Sequence, residues 1–486
     1  MLALVLAAVP LGGATCGDLM KLALPHVTIT LAETAKTSWP VTVRGVPAVP
    51  RSPVCRVTAI LKPTSDSEIA IEVWLPESGW NGKYEAVGNG GWSGSINYNA
   101  LAAAVAAEYA ASSTDTGHQG SSASFALGHP EKLIDYAYRS EHEMVVAAKA
   151  IIQAFYGGAP KLSYWNGCSA GGKQGLKEAQ RYPSDFDGIV AGSPAANWTG
   201  RAAQSIWVAQ AMHRSEDSFI PAAKYAAIHR AVLAACDKLD GVADGVIENP
   251  QACRFDPQVL LCTEGDREDC LTAAQVEAAR RVYAPSLNPR TGKSVYPGLA
   301  PGSEMDWRIW GGAQPLSIGL DYFRYVVFEN PQWDFRTLDF DRDIARAEKL
   351  DHDRIDALDP DLRPFFAHGG KLIQYHGWSD AQISPFNSVD YYRSVTEKLG
   401  EVGESYRLFM VPGMAHCGGG EGATGFNAMP ALEQWVEQGK APARMVGSRA
   451  RDGQVEWTHP LCPFPQTAVY TGKGDAKDAA NYVCRK

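Results

Sequence analysis

Short apolar runs alternate along the chain with segments in which apolar residues recur at helical spacing. The runs predict strands at 69–76, 83–91, 161–167 and 187–194, and a further strand within 105–118 that leads into a polar loop. Residues 140–157 have apolar side chains at helical spacing, between an initial serine and a final glycine. A second helix-like segment, GGKQGLKEAQRYP, follows the strand at 161–167. Strand, helix and strand at these spacings form βαβ units, which predict a parallel sheet covered on both faces.

The strand pattern returns at 369–380 and 404–417, but residues 198–360 interrupt it. The interrupting segment contains four cysteines, an acidic loop with glycines and many aromatic residues. We interpret it as an insertion that caps the sheet. The predicted organisation is therefore one α/β domain, formed by 16–197 and 361–486, with a lid domain at 198–360.

The first fifteen residues, MLALVLAAVPLGGAT, are apolar and small. They are shorter than the ~20 residues that cross a bilayer. We interpret 1–15 as a secretory signal with Gly12 and Ala14 at the cleavage positions, although a basic start is missing. A buried N-terminal segment is the alternative, and a lipoprotein signal that ends at Cys16 fits less well. A secreted or periplasmic protein is predicted.

Composition narrows the function classes. The 486 residues include 45 Lys+Arg and 54 Asp+Glu, and the net charge of −9 argues against nucleic acid as a partner. With 45% hydrophobic residues the chain has enough apolar side chains for a large core. Ten cysteines are many for a cytosolic enzyme and agree with export.

The pentapeptide Gly167-Cys168-Ser169-Ala170-Gly171 matches G-x-S-x-G between a predicted strand and a predicted helix. In this motif the glycines make room for a sharp turn that exposes the serine hydroxyl at a helix N-terminus. A glycine-rich turn that merely packs closely is the alternative interpretation. The strand–turn–helix context favours a nucleophilic serine.

A nucleophilic serine needs a base that is oriented by an acid, and α/β-hydrolases supply them in the order serine, acid, histidine. Asp380 follows the predicted strand KLIQYHGW, and His416 follows YRLFMVPGMA. His376 competes as the base, but its place in the strand favours packing. The predicted triad is therefore Ser169, Asp380 and His416.

Two cysteines are direct neighbours of this predicted triad. Cys168 precedes the serine and Cys417 follows the histidine. If the serine and the histidine touch, the two cysteines lie within the ~4–7 Å Cα separation of a disulfide. A disulfide between them would fix the base beside the nucleophile.

A tetrahedral intermediate also needs two backbone N–H donors for its oxyanion. Ala170, the residue after the nucleophile, is predicted to supply one of these N–H groups. Gly90 or Gly91, in the loop after an early strand, is predicted to supply the second. An ordinary glycine-rich turn explains that loop equally well.

The loop at 236–248 contains three aspartates and two glycines at close spacing, which suits a hard cation such as Ca²⁺ but is not an EF-hand. An acidic surface turn is the alternative. The expected role of the cation is structural.

The motifs GCSAGG (167–172), HGWSD (376–380) and GMAHC (413–417) together resemble the tannase and feruloyl esterase family, which also contains the hydrolase of mono(2-hydroxyethyl) terephthalate. The resemblance covers nearly the whole chain and implies an α/β-hydrolase fold with an inserted lid. It implies the triad named above and the Cys168–Cys417 bridge. It also implies four further disulfides, Cys16–Cys55, Cys236–Cys253, Cys262–Cys270 and Cys462–Cys484. For a calcium ion in the lid it implies side-chain ligands Asp237, Asp240 and Asp244, with the carbonyls of Val242 and Val246.

The resulting hypothesis is a secreted serine esterase for hydroxycinnamic or gallic-type esters, free or attached to plant polysaccharide or polyphenol, with no membrane partner. Feruloyl esterase activity is expected first, with tannase or mono(2-hydroxyethyl) terephthalate hydrolase activity as the alternatives. A peptidase and a non-catalytic calcium-stabilised binding protein are more remote. Ala170 stands where some relatives have a larger polar residue, so a side-chain contribution at that position would be absent. The residues predicted to line the acyl pocket are Trp307, Trp310, Phe323, Trp333 and Ile383.

Overall fold

A nine-stranded mixed sheet forms the centre of the computed structural model, which describes residues 13–35, 42–43, 46–47, 52–310, 312 and 314–486. The predicted signal segment lies largely outside the described residues. The strands are β1 (Val27–Ala35), β2 (Thr42–Val43), β3 (Val46–Pro47), β4 (Val54–Leu61), β5 (Ile69–Pro76), β6 (Lys83–Val87), β7 (Ala110–Thr114), β8 (Leu162–Cys168), β9 (Gly188–Gly192), β10 (Ser286–Leu287), β11 (Ser294–Tyr296), β12 (Lys371–Gly377), β13 (Tyr406–Val411), β14 (Met445–Arg451), β15 (Gln454–Leu461), β16 (Thr467–Tyr470) and β17 (Tyr482–Arg485).

The order of strands in the central sheet is β1-β4-β5-β7-β6-β8-β9-β12-β13. The six strands from β7 to β13 in this order pair in parallel, as the βαβ pattern predicted. They are short and largely buried because helices cover both faces, and β7 and β9 are buried along their whole length. The carboxyl ends of β6, β8, β12 and β13 therefore meet at one edge of the sheet. The antiparallel strands β1 and β4 were not predicted.

Helices flank the sheet on both sides. The α-helices are α1 (Tyr98–Ala106), α2 (Pro130–Ile134), α3 (Ser140–Tyr156), α4 (Ala170–Arg181), α5 (Trp198–Met212), α6 (Tyr225–Cys236), α7 (Ala273–Tyr283), α8 (Ser317–Asp321), α9 (Arg342–Asp351), α10 (Arg363–Ala367), α11 (Phe386–Leu399) and α12 (Met429–Gln438). π-helical turns at Asp135–Arg139 and Tyr322–Val327 continue α2 and α8, and short 3-10 helices include Cys16–Lys21 and Glu304–Trp310. No helix among the described residues is long and apolar enough to cross a membrane.

The helix predicted at 140–157 is confirmed, and it ends at Gly157, whose φ of 75° is the left-handed conformation that favours glycine after a helix. The strand predicted within 105–118 is shorter than expected, because α1 extends to Ala106 and only Ala110–Thr114 is extended. Five alanines favour the helix, as does an N-cap in which the Asn97 side chain accepts a hydrogen bond from the Ala100 N–H at 3.2 Å.

The chain leaves the sheet after β9 and returns at β12, and the predicted lid at 198–360 falls within this excursion. Helices α5 to α9 and the hairpin β10–β11 build it, with α5 packed against α7, α8 and α9. One hydrophobic cluster joins Phe323 and Trp333 of this segment to Trp92 of the sheet domain, and a second cluster surrounds Trp307 and Trp310.

All five predicted cysteine pairs are disulfide-bonded. Cys16–Cys55 joins the N-terminal 3-10 helix to β4, Cys236–Cys253 closes the acidic loop, Cys262–Cys270 spans eight residues, and Cys462–Cys484 joins the C-terminal hairpins. The connectivity implied by the family resemblance is thus confirmed.

Candidate active site

Ser169 occupies a sharp turn between β8 and α4. Its φ of 65° and ψ of −123° are rare for a residue with a side chain, and its N–H donates to the Gly192 carbonyl at 2.9 Å. A side chain at Gly167 would lie 2.5 Å from the Gly171 carbonyl oxygen, so the turn requires glycine there. This is the geometry of a nucleophile elbow, with the serine at the N-terminus of a helix.

The predicted acid and base come from the two loops that were expected. Asp380 lies three residues after β12, and His416 lies five residues after β13. The Nδ1 atom of His416 is 2.7 Å from Asp380 Oδ2. Because an ionised carboxylate only accepts, Nδ1 carries the proton and Nε2 is left as the basic nitrogen.

The Asp380 carboxylate is fully buried and surrounded by donors. Its Oδ1 accepts hydrogen bonds from the N–H groups of Gln382 at 2.8 Å and Ile383 at 3.0 Å. Burial alone would raise the pKa of Asp380, but His416 and His376 outweigh burial and hold the pKa well below its ordinary value. These hydrogen bonds and charges therefore favour the ionised form of Asp380.

His376 is a second partner of this carboxylate and not a competing base. It lies in β12 and is completely buried. Its Nε2 faces both Asp380 Oδ2 at 3.1 Å and the Ile383 carbonyl at 3.0 Å, so Nε2 must carry a proton. Its Nδ1 accepts from the Ser388 hydroxyl at 2.7 Å. Sequence reasoning predicted that His376 packs in the strand but missed its bond to Asp380.

The predicted nucleophile and the predicted base face one cavity. A space of about 660 Å³ is lined by Ser169, His416, Cys168 and Cys417 together with the glycine loop at 88–91. The disulfide between the two cysteines has a Cα–Cα separation of 6.0 Å. The neighbours of the predicted nucleophile and base are therefore joined covalently, as expected.

The two segments predicted to supply oxyanion donors lie side by side. Asn89 accepts from the Gly171 N–H through its carbonyl at 2.8 Å and gives its own N–H to Gln174 Oε1 at 3.0 Å. These bonds dock the glycine loop on the first turn of α4, which begins at Ala170. Gly90 and Gly91 both line the cavity.

The side chains predicted to form the acyl pocket do not line this cavity. Trp307 and Trp310 are buried inside the lid segment, where their indole N–H groups donate to Ser303 Oγ and the Ala381 carbonyl. The remaining three are buried together in the other cluster: Phe323, Trp333 and Ile383. Burial assigns all five to packing. The lining residues that sequence reasoning missed include Trp92, Ser121, Ser317, Ile318 and Gln382.

The acidic loop folds as a series of turns at Gly241 and Gly245, which have φ of 91° and 82°. Asp237 accepts from the Asp244 N–H at 3.3 Å, Asp240 from the Val242 N–H at 2.9 Å, and Asp244 from the Val246 N–H at 3.0 Å. Burial and the neighbouring carboxylates of Asp244, Glu248 and Asp237 raise the pKa of Asp240 to about 6. No group of three or more His, Cys, Asp or Glu side chains within the described part of the chain has the arrangement of a metal site.

Comparisons with known proteins show which family the chain is similar to. The sequence model of the family described as tannase and feruloyl esterase matches residues 55–485. An uncharacterized esterase of Xanthomonas campestris pv. campestris is 37% identical, and the match covers 97% of this chain and 91% of that protein. A probable feruloyl esterase B-2 of Aspergillus terreus is also 37% identical, and the match covers 89% of this chain and 86% of that protein. The crystal structure of feruloyl esterase B from Aspergillus oryzae superposes with a TM-score of 0.90 at 31% identity and covers 97% of this chain and 99% of that one.

Proposed function

Because this chain belongs to the tannase and feruloyl esterase family of α/β-hydrolases and is a carboxylic ester hydrolase, we propose that it is a serine esterase that acts on esters of hydroxycinnamic acids. Feruloyl esters are the favoured substrates, and the alcohol is free or part of a plant polysaccharide or polyphenol. The bond between Asp380 and His416, beside the elbow that presents Ser169 to the same cavity, supports the proposal most directly.

In this mechanism His416 Nε2 takes the proton of the Ser169 hydroxyl as its oxygen attacks the ester carbonyl carbon. Asp380 holds the imidazole with Nδ1 protonated and stabilises the imidazolium that forms. The same imidazolium then protonates the departing alcohol. Water repeats the sequence on the acyl-enzyme and releases the aromatic acid.

The oxyanion that forms in each half of the reaction needs two donors that are already in place. Ala170, as the first residue of α4, has an N–H that no preceding helical turn engages. We assign the second donor to Gly90 or Gly91. Since the Ala170 side chain is a methyl group, only its backbone contributes.

Substrate preference is tested by a panel of methyl ferulate, methyl gallate, mono(2-hydroxyethyl) terephthalate and the anilide of ferulic acid. We expect the highest kcat/KM for methyl ferulate and no measurable cleavage of the anilide, because amide nitrogen is a poorer leaving group. Faster hydrolysis of methyl gallate would instead indicate a tannase. Faster hydrolysis of mono(2-hydroxyethyl) terephthalate would indicate a hydrolase of that monoester. Anilide cleavage at a comparable rate would contradict an esterase.

We also propose that the acidic loop binds a structural Ca²⁺ ion through the carboxylates of Asp237, Asp240 and Asp244 and the carbonyls of Val242 and Val246. Three of these five ligands are carboxylates, and the other two are backbone oxygens. The raised pKa of Asp240 fits this donor set, because burial and the carboxylates of Asp244, Glu248 and Asp237 disfavour its charged form and a bound cation would favour it. When bound, the ion would neutralise that repulsion and fix the loop.

Calcium removal is expected to lower the melting temperature by on the order of 5 °C, since a ligand at 1,000 times its Kd stabilises the folded state by about 4 kcal/mol. Differential scanning calorimetry with and without EGTA measures the shift, and elemental analysis of the dialysed protein measures bound calcium. Asp256→Asn, a lid aspartate whose partner is Arg280, is the matched control for Asp240→Asn. An unchanged melting temperature and no bound calcium would remove calcium from the proposal.

We propose that the enzyme is exported, because its cysteines are paired. The five disulfides form in an oxidising compartment, which agrees with a secreted or periplasmic enzyme.

A further inference from the structure

His229 in the lid segment makes two charged hydrogen bonds that the proposed mechanism does not use. It lies on α6 and is almost fully buried. Its Nδ1 is 2.7 Å from Glu304 Oε2, and its Nε2 is 2.8 Å from Glu421 Oε2. A carboxylate offers only acceptors, so both ring nitrogens must be donors and the ring is an imidazolium ion.

The two carboxylates differ in their surroundings. Glu304 is fully buried in the lid, and its second oxygen accepts from the Tyr283 hydroxyl and the Gly302 N–H, both at 2.8 Å. Glu421 belongs to the loop that contains His416, and its side chain is about half exposed at 48%. His229 therefore joins the interior of the lid to the loop that contains the base.

The loop that contains His416 and Glu421 needs contacts that hold its backbone in one conformation. The four residues after His416, from Cys417 to Gly420, all have positive φ, and three of them are glycines. Such a segment loses much conformational entropy when it becomes ordered. The disulfide of Cys417 holds its beginning, whereas Glu421 forms its end, where the Glu421 N–H donates to the Gly413 carbonyl at 2.9 Å.

We propose that His229 is a positioning residue for His416: as a buried cation of the lid, it fixes the end of the glycine segment through Glu421 and so holds the base in place. The inference rests on the proposed role of His416. His229 touches neither the cavity nor the reacting atoms, and it acts only through the loop. The lid would then have two roles, since it covers the sheet and also completes the catalytic geometry.

The ionisation of His229 agrees with this role. Burial lowers the pKa of His229, but the hydrogen bonds and charges of Glu304 and Glu421 outweigh burial and raise the pKa to about 9. The other groups around the pair are the Tyr283 phenol, on Glu304, and Arg449, whose guanidinium donates to the Glu421 carbonyl. Since the folded-state pKa lies above the ordinary 6.5, this contribution is complete below pH 6.5 and is lost as the pH rises through about 9.

The test compares His229→Gln, His229→Lys and Glu421→Gln in the full chain, with hydrogen exchange of the backbone amides of 415–422 and ester hydrolysis as readouts. We expect faster exchange in that loop for His229→Gln and Glu421→Gln, and a kcat about tenfold lower with little change in KM, as for the loss of one hydrogen bond to a charged group. The lysine variant should retain loop protection, because it restores a cation. It should also keep its rate above pH 9, where the wild type loses it.

Glu421→Gln leaves the buried His229–Glu304 pair intact, so it remains informative if His229→Gln fails to fold. Arg267→Gln, which removes an exposed lid cation, is the matched control and should change nothing. Unchanged exchange at 415–422 in both glutamine variants would overturn the proposal. Because exchange is measured without substrate, this result is independent of whether Ser169 and His416 prove to be catalytic.

Discussion

Ser169→Ala is expected to lower kcat for methyl ferulate on the order of 10⁵- to 10⁶-fold, the loss found when a triad serine is removed. The substitution deletes the only atom that can form the acyl bond, while the Cβ that shapes the elbow remains. The residual rate would come from the oxyanion donors and from substrate binding. Ester hydrolysis measured at substrate concentrations above KM gives the comparison.

The melting temperature of the alanine variant should match that of the wild type, because Ser169 already adopts the strained φ of 65° and alanine has the same backbone limits. Ser121→Ala, which removes another hydroxyl at the same cavity, is the matched control and should keep kcat within about threefold. Mass spectrometry of wild-type enzyme quenched during turnover should find the acyl group on the peptide that contains Ser169. Substantial hydrolysis by Ser169→Ala would show that another group is the nucleophile.

The framework of this site could be predicted from local sequence signals. Parallel strands such as β9 and β13 are short and mostly apolar, and the elbow requires glycines because Gly167 and Gly171 touch. Loops at the carboxyl ends of neighbouring strands meet at one edge of the sheet, which placed Asp380 and His416 together. Cysteines beside two triad candidates added a distance constraint that a single motif lacks.

The pocket could not be predicted, because the burial of an aromatic side chain in a helical insertion depends on how the helices pack. Trp307 and Trp310 were expected at the substrate but fill the interior of the lid. Trp92 does line the cavity, and it directly follows the glycine loop. A large apolar residue beside a predicted oxyanion loop was therefore a better local signal than aromatic content.

Contacts between distant segments were also beyond the sequence. His229 and Glu421 are 192 residues apart, and no periodicity or motif links them. The edge strand β1 was missed although Val27, Ile29 and Leu31 alternate with Thr28 and Thr30, a pattern that indicates a strand. Its register on β4 follows from pairing along the sheet.

Asp380→Asn is expected to lower kcat about 10⁴-fold with the fold intact, the loss seen when an asparagine replaces a triad aspartate. An amide can turn its NH₂ toward His416 Nδ1 and so favour the tautomer in which Nε2 carries the proton, which leaves no base for Ser169. The buried side chain keeps its shape and still accepts hydrogen bonds from the N–H groups of Gln382 and Ile383. The melting temperature should therefore change little although kcat falls.

The loss should be largest near neutral pH and smaller at high pH, where hydroxide can replace the missing base. A pH–rate profile from pH 6 to 10 measures this difference. Asp390→Asn, which alters an exposed aspartate on α11, is the matched control and should leave the profile unchanged. If Asp380→Asn cost less than about tenfold, His376 or another group would have to orient His416. That result is not expected, because His376 Nε2 is itself a donor to the same carboxylate.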